Sequence, residues 1–161
     1  MNILVFGKTG QLAQELARLV GVTCLGRDQA EFSDPAAAAA QVAGAGIDAV
    51  IIAAAYTAVD RAEAEESLAT TINAATPGAI AQACATRGLP LIHISTDYVF
   101  DGSGDSPRQP DDATAPINAY GRSKLGGEAA VRAAGGTFAI LRTSWIDRAQ
   151  LFAKNDYGRY L

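Results

Sequence analysis

The chain is poor in several things that would place it in large functional classes. It has only two cysteines in 161 residues, Cys24 and Cys84, far apart and flanked by apolar neighbours. That pattern reads as two reduced core thiols in a cytoplasmic protein, not as a disulfide framework. There is no Lys/Arg cluster, and the net charge is −4, which argues against a nucleic-acid surface. No apolar run approaches the roughly 20 residues needed to span a bilayer. The start, Met1-Asn2-Ile3-Leu4-Val5-Phe6-Gly7, is too short and too uncharged for a signal peptide. No internal repeat or low-complexity tract is present. Charged residues make up 19% and apolar ones 49%, the balance of a globular domain and not of a disordered one. The length suits one domain with a real core.

What is present is an alternation of apolar runs and helical patterns. Ile3–Phe6 is a continuous apolar run, as expected of a parallel strand buried on both faces. Gly7-Lys8-Thr9-Gly10-Gln11-Leu12 follows at once, and then a helical pattern carrying Leu12, Leu16, Leu19 and Val20. A strand, a turn with glycine at its first and fourth positions, and a helix make the nucleotide-binding beginning of a Rossmann fold. Gly7 permits the tight turn, and Gly10 lets backbone N–H groups approach a pyrophosphate. Alanine stands at residue 13, where a third glycine is usual, and the spacing of a Walker loop is absent.

Val22–Gly26 reads as a second strand with Arg27 just beyond its end. An arginine there can hold a 2′-phosphate, so NADPH is favoured over NADH, although Asp28 and Glu31 lie close by. Asp34-Pro35 predicts a helix start, with aspartate as cap and proline at the first position. Ala49–Ala54 is a third strand. Glu63, Glu65 and Glu66 read as a solvated helix face and not as a metal site. A helix from about Ile72 to Ala85 ends at Gly88, and Asn73 within it is expected to hydrogen-bond to backbone or water. Leu91–Ile94 is a fourth strand, in which His93 reads as a packed core residue. Ser95-Thr96-Asp97-Tyr98 stands at its carboxyl end, where ligands bind in this architecture. Residues 101–116 form a long surface loop, and Phe138–Arg142 is a fifth strand. The fold class is therefore α/β, a Rossmann-type doubly wound parallel sheet with helices on both faces.

Tyr120 and Lys124 stand four residues apart in the first turns of a helix, so both side chains leave one face. A cation near a phenol favours the phenolate and is expected to make Tyr120 a readier proton donor near neutral pH.

Five blocks together carry a family resemblance: Gly7 to Leu12, Ala53 to Asp60, Ser95 to Phe100, Tyr120 to Lys124, and Arg142 to Trp145. They resemble the dTDP-4-dehydrorhamnose reductase family, within the extended short-chain dehydrogenase/reductase group. The resemblance implies reduction of the 4-keto group of a nucleotide sugar by NAD(P)H, the last step of dTDP-L-rhamnose synthesis. Tyr120 would then donate the proton, Lys124 would bind the nicotinamide ribose, and Thr96 would polarise the carbonyl. Thr96, Asp97 and Trp145 would contact the sugar. Gly7, Gly10, Gln11, Leu12, Arg27, Glu31, Phe32, Ala55, Tyr56 and Thr57 would form the cofactor wall, with Tyr120 and Lys124 at its far end. Family members run to nearly twice this length, and their C-terminal part closes the substrate site and carries a dimer contact, which leaves a homodimer open. Residues 1–146 are expected to form the dinucleotide-binding domain and 147–161 a divergent or truncated tail. Such a chain is expected to bind dinucleotide and to turn over sugar weakly or not at all. A rival reading is a non-catalytic cofactor-binding protein, similar to the regulatory subunit of methionine adenosyltransferase. Another sugar-nucleotide epimerase or reductase is a third.

Overall fold

The apolar run ahead of Gly7 becomes the centre of a parallel sheet. A computed structural model describes residues 1–144 of the chain. Its strands are β1 (Ile3–Phe6), β2 (Val22–Leu25), β3 (Ala49–Ile52), β4 (Leu91–Thr96) and β5 (Phe138–Thr143). They pair in the order β2-β1-β3-β4-β5, all parallel. The helices are α1 (Gln11–Leu16), α2 (Pro35–Ala40), α3 (Val59–Ala62), α4 (Glu66–Thr70), α5 (Thr76–Arg87) and α6 (Ala119–Ala134). From β1 the chain first goes outward to β2, then crosses back to the other side as β3. That reversal opens a crevice at the carboxyl ends of β1 and β3, the place where doubly wound sheets bind ligands.

Alternation along each strand divides the core. Leu4, Phe6, Val50, Ile52 and Leu91 face α2, α5 and α6, packing on Ala38, Ile80, Cys84 and Val131. Val5 and Ile51 face the opposite side and meet Ala13 and Leu16 of α1. Phe6, Ile52 and Ile80 are fully buried, each contributing about 1.5–3 kcal/mol by removal from water.

The helix signals hold at the residues that carry them. Asp34 accepts hydrogen bonds from the N–H of Ala36 (3.1 Å) and Ala37 (3.0 Å), capping α2 ahead of Pro35. Gly88 ends α5 in the left-handed conformation, φ +65°. Asn118 caps α6, accepting from Gly121 N at 2.7 Å.

Three expectations need revising. α1 ends at Leu16, so Leu19 and Val20, read as part of its helical pattern, fall beyond it and are exposed. The helix through Asn73 is longer than its apolar stripe suggests, and it carries a π turn at Thr71–Ala75 between α4 and α5. The acidic residues 63–66 are exposed but not merely solvated. Glu63 accepts from Ala119 N (2.7 Å), Glu66 from Arg122 Nε (2.8 Å), and Glu65 from Arg61 Nη2 (2.6 Å) and the Tyr56 hydroxyl (2.6 Å). Glu63 and Glu66 tie this segment to the start of α6, while Glu65 joins Arg61 of α3 to Tyr56.

Candidate functional site

The glycine turn leans on β3. Gly7 has φ +118°, and a Cβ there would come within 2.8 Å of Ala54 N, so only glycine fits. Gly7 N and Lys8 N both donate to Leu25 O at 3.0 Å, fastening the turn to β2. Gly10 is different. Its backbone is ordinary, φ −72° and ψ 153°, and a Cβ would meet only Gly7 O at 3.4 Å. The fold does not require glycine at that position.

Between the turn, the end of β2 and the exit of β3 lies a cavity of about 310 Å³. Gly7, Gly10, Arg27, Glu31 and Phe32 line it on one side, and Ala55, Tyr56 and Thr57 on the other. The Arg27 side chain is 85% exposed, with its Nε 3.7 Å from Glu31. Phe32 is buried and packs edge-on against Phe6 at 5.6 Å, so it contributes a wall and not a free ring. Gln11 lies beyond this cavity and lines the next one. Leu12, half-buried one residue further along α1, lines neither.

The second cavity, about 390 Å³, shares Ala53, Ala55 and Thr57 with the first, so the two form one trough along the carboxyl edge. Thr96, Asp97, Tyr98, Tyr120 and Lys124 line it. Thr96 Oγ1 donates to Asp97 Oδ1 (3.0 Å) and accepts from Tyr98 N (3.2 Å). The Tyr98 and Tyr120 rings stand edge to face at 5.6 Å. Lys124 is only 2% exposed, and its Nζ donates to Ile94 O at 2.6 Å. The structure thus brings Tyr120, Lys124, Thr96 and Asp97 together. Trp145 lies outside the described residues.

The electrostatics depart from expectation at Tyr120. Its phenol is pushed up from the usual value, chiefly by burial and further by Asp97 and Tyr98, while a hydrogen bond with Thr96 offsets part of the rise. Lys124 is not among the groups that shift it, and its Nζ donates instead to Ile94 O. Burial lowers Lys124 to about 8, with the Glu128 carboxylate opposing the shift. At neutral pH the tyrosine is a neutral phenol and the lysine is mostly charged. His93 is fully buried and neutral, lowered to about 3 by burial and by Lys124.

Asn73 makes the backbone bonds expected of it, but its part in the site was not foreseen, and Glu128 was not singled out from the sequence. Asn73, in the π turn, accepts from Tyr56 N (2.8 Å) and donates to Tyr56 O (3.0 Å) and Ser123 Oγ (2.9 Å). It therefore joins the wall of the first cavity to α6. Glu128 accepts from Ser95 Oγ (2.6 Å) and takes both Arg142 nitrogens, Nε at 2.8 Å and Nη2 at 2.7 Å. Arg142 also donates to Pro110 O (2.9 Å) and lies over the Phe100 ring, pinning the 101–116 loop to the sheet edge. Among the described residues no group of three metal-ligating side chains occurs, and no helix is long and apolar enough to cross a membrane.

Comparison with known proteins fits this geometry. The family model described as RmlD substrate binding domain matches residues 1–156. The dTDP-4-dehydrorhamnose reductase of Escherichia coli strain K12 is 46% identical over 154 residues, covering 91% of this chain and 52% of that protein. The reductase of the same name from Mycobacterium tuberculosis strain H37Rv is 44% identical over 154 residues, covering 90% and 50%. Among solved structures, the Clostridium acetobutylicum dTDP-4-dehydrorhamnose reductase superposes with TM-score 0.84 at 37% identity, covering 90% of this chain and 54% of that one. The Bacillus anthracis dTDP-4-dehydrorhamnose reductase, solved in complex with NADP, gives TM-score 0.84 at 33% identity, with the same coverage. The chain spans about half the length of the curated relatives it matches. These relatives bear the name of a reductase and not of a regulatory subunit.

Proposed function

This chain belongs to the RmlD substrate binding domain family, and from that premise we propose that it serves NAD(P)H-dependent reduction of a nucleotide-sugar ketone, dTDP-4-dehydro-L-rhamnose to dTDP-L-rhamnose. The observation that carries the proposal is the meeting of Tyr120, Lys124 and Thr96 in a cavity that continues into the glycine-turn cavity. The residues present fit a dinucleotide. The shared wall is built from Ala53, Ala55 and Thr57, the turn offers backbone at Gly10 with no side chain over it, and an exposed guanidinium at Arg27 stands at the far end. A bound nicotinamide cofactor supplies hydride, and the chain's own groups do the rest.

Tyr120, kept protonated by burial, holds the proton destined for the carbonyl oxygen. Thr96, whose hydroxyl donates to Asp97 in this structure, would turn it to that same oxygen and polarise it. Lys124 would offer its positive charge to the nicotinamide ribose, and Asp97, which lines the same cavity, would contact the sugar. Gly7, Gly10 and Gln11 hold the pyrophosphate side, with Leu12 behind them, and Glu31, Phe32, Tyr56 and Thr57 line the path. Arg27, exposed and beside Glu31, would hold a 2′-phosphate, which favours NADPH over NADH. Trp145 belongs to the sugar side of this proposal. We take residues 1–146 as the dinucleotide-binding domain and 147–161 as a divergent tail. The two free thiols, Cys24 and Cys84, support a cytoplasmic setting. Homodimerisation is tested by sedimentation with and without nucleotide.

The experiment is NADPH oxidation in the presence of dTDP-4-dehydro-L-rhamnose, run on the wild type and on Tyr120→Phe, with NADPH affinity measured on both. The proposal expects slow oxidation by the wild type, a loss of at least about 100-fold in the variant, and NADPH affinity retained. Equal rates in the two proteins would overturn it.

A further inference from the structure

Lys124 and Tyr120 are not the only residues of their helix face to grip the end of β4. Counting along α6, Tyr120, Lys124 and Glu128 recur every four residues and so share one stripe. Tyr120 meets Thr96, Lys124 Nζ donates to Ile94 O (2.6 Å), and Glu128 accepts from Ser95 Oγ (2.6 Å). Three consecutive residues of the strand are engaged by three successive turns of the helix. Glu128 then crosses to β5 through a two-pronged bond with Arg142, one residue before Thr143, which lines the second cavity. The Glu128 side chain is 2% exposed and that of Arg142 17%, so the pair sits within the protein and not on a rim.

We propose that Glu128, with Ser95 and Arg142, is a positioning device for the catalytic face of α6, fixing the helix register against the carboxyl ends of β4 and β5 and supplying the negative charge behind Lys124. The proposal deepens the reductase reading and rests on it. Glu128 touches neither substrate nor cofactor space, so it acts through its neighbours. The titratable and charged groups around Lys124 are His93 on β4, Tyr120 and Glu128 on α6, and Asp97 and Tyr98 across the cavity, with Arg132 and Arg142 behind Glu128. Of these, Glu128 opposes the effect of burial on Lys124. A merely structural ion pair would hold the helix without setting the charge of the lysine ahead of it.

The test reads that charge directly. The chain has three lysines, Lys8, Lys124 and Lys154, so the ε-carbon resonances of lysine-labelled protein can be followed against pH, with Lys124 identified by its absence from Lys124→Met. In the wild type Lys124 should titrate near 8. In Glu128→Gln, which keeps the side-chain shape and removes the charge, its midpoint should fall by about one pH unit. With substrate and NADPH, kcat should fall about tenfold while the KM for NADPH changes little. An unchanged Lys124 midpoint in a folded Glu128→Gln protein would overturn the proposal. Should Glu128→Gln not fold, Ser95→Ala severs only the link to β4, and wild-type kcat in that variant would overturn it equally. The titration uses neither nucleotide nor sugar, so its failure is distinguishable from failure of the reductase reading.

Discussion

Asn73 Nδ2 lies 2.9 Å from Ser123 Oγ, a buried hydrogen bond between residues 50 apart that joins the π turn to the helix of Tyr120 and Lys124. The same amide holds the backbone of Tyr56 through both its N–H and its carbonyl. One side chain therefore sets the spacing between the wall of the first cavity and the helix face of the second. A π turn is a frequent device where a helix must present such a group. Replacing Asn73 with Leu leaves the Tyr56 N–H and carbonyl without their partner and should cost about 2–4 kcal/mol in chemical denaturation. A loss below about 0.5 kcal/mol would show that the bridge is dispensable.

The two glycines of the turn should respond oppositely to substitution. Gly7→Ala forces a side chain into φ +118° and against Ala54, and should lower stability by about 1–3 kcal/mol. Gly10 is the N-cap of α1 with extended backbone and open space, so Gly10→Asp, a favourable cap, should fold at least as stably as the wild type. Thermal melts of the two variants without ligand check both.

His93 makes the fold acid-sensitive before the carboxylates do. Its folded value of about 3 lies below the ordinary 6.5, so the native state resists a proton that the unfolded chain accepts. Stability is whole well above pH 6.5 and falls as pH drops through that value toward about 3, by up to roughly 5 kcal/mol. Glu128, whose bonds from Arg142 and Ser95 outweigh burial and hold it below its ordinary 4.5, adds a loss only beneath that value. As His93 is the only histidine, His93→Leu should flatten the stability profile between pH 6.5 and 4.5. An unchanged slope there would contradict the assignment.

Arg142→Ala should be among the costliest single changes in the molecule. It strands the Glu128 carboxylate in the interior, at about 3–5 kcal/mol. It also frees Pro110 O and removes one of the two guanidinium groups over Phe100, so limited proteolysis should cut the 101–116 loop faster than in the wild type. Unaltered cleavage would mean that the loop is held without Arg142, by the Ala115 N–Val99 O bond and the packing of Arg108 on Phe100.

The strands, the glycine turn, the Asp34-Pro35 start and the Gly88 stop were legible because each depends on neighbours in sequence. So was the helical spacing that sets Tyr120 and Lys124 on one face. The π turn was not, since its register is decided by Asn73 reaching Tyr56 and Ser123. Nothing local marks Glu128, and only the placement of β5 beside β4 brings Arg142 within reach. The bonds of Glu63 and Glu66 to α6 span 56 residues, so a local reading left them as solvated charge. The phenol of Tyr120 was misjudged for a related reason. Helical spacing locates the lysine but does not reveal how far the phenol is buried, and burial is what raises it most.

The central claim is that the trough from Arg27 to Lys124 holds a nicotinamide dinucleotide, and the most direct measurement is the melting temperature against NADPH concentration for the wild type and Gly10→Asp. Mass action requires a ligand of the native state to raise the melting point. The account predicts a concentration-dependent rise in the wild type and at least about tenfold weaker response in Gly10→Asp, where a carboxylate meets the pyrophosphate. No rise with millimolar NADPH, or the same rise in both proteins, would contradict it.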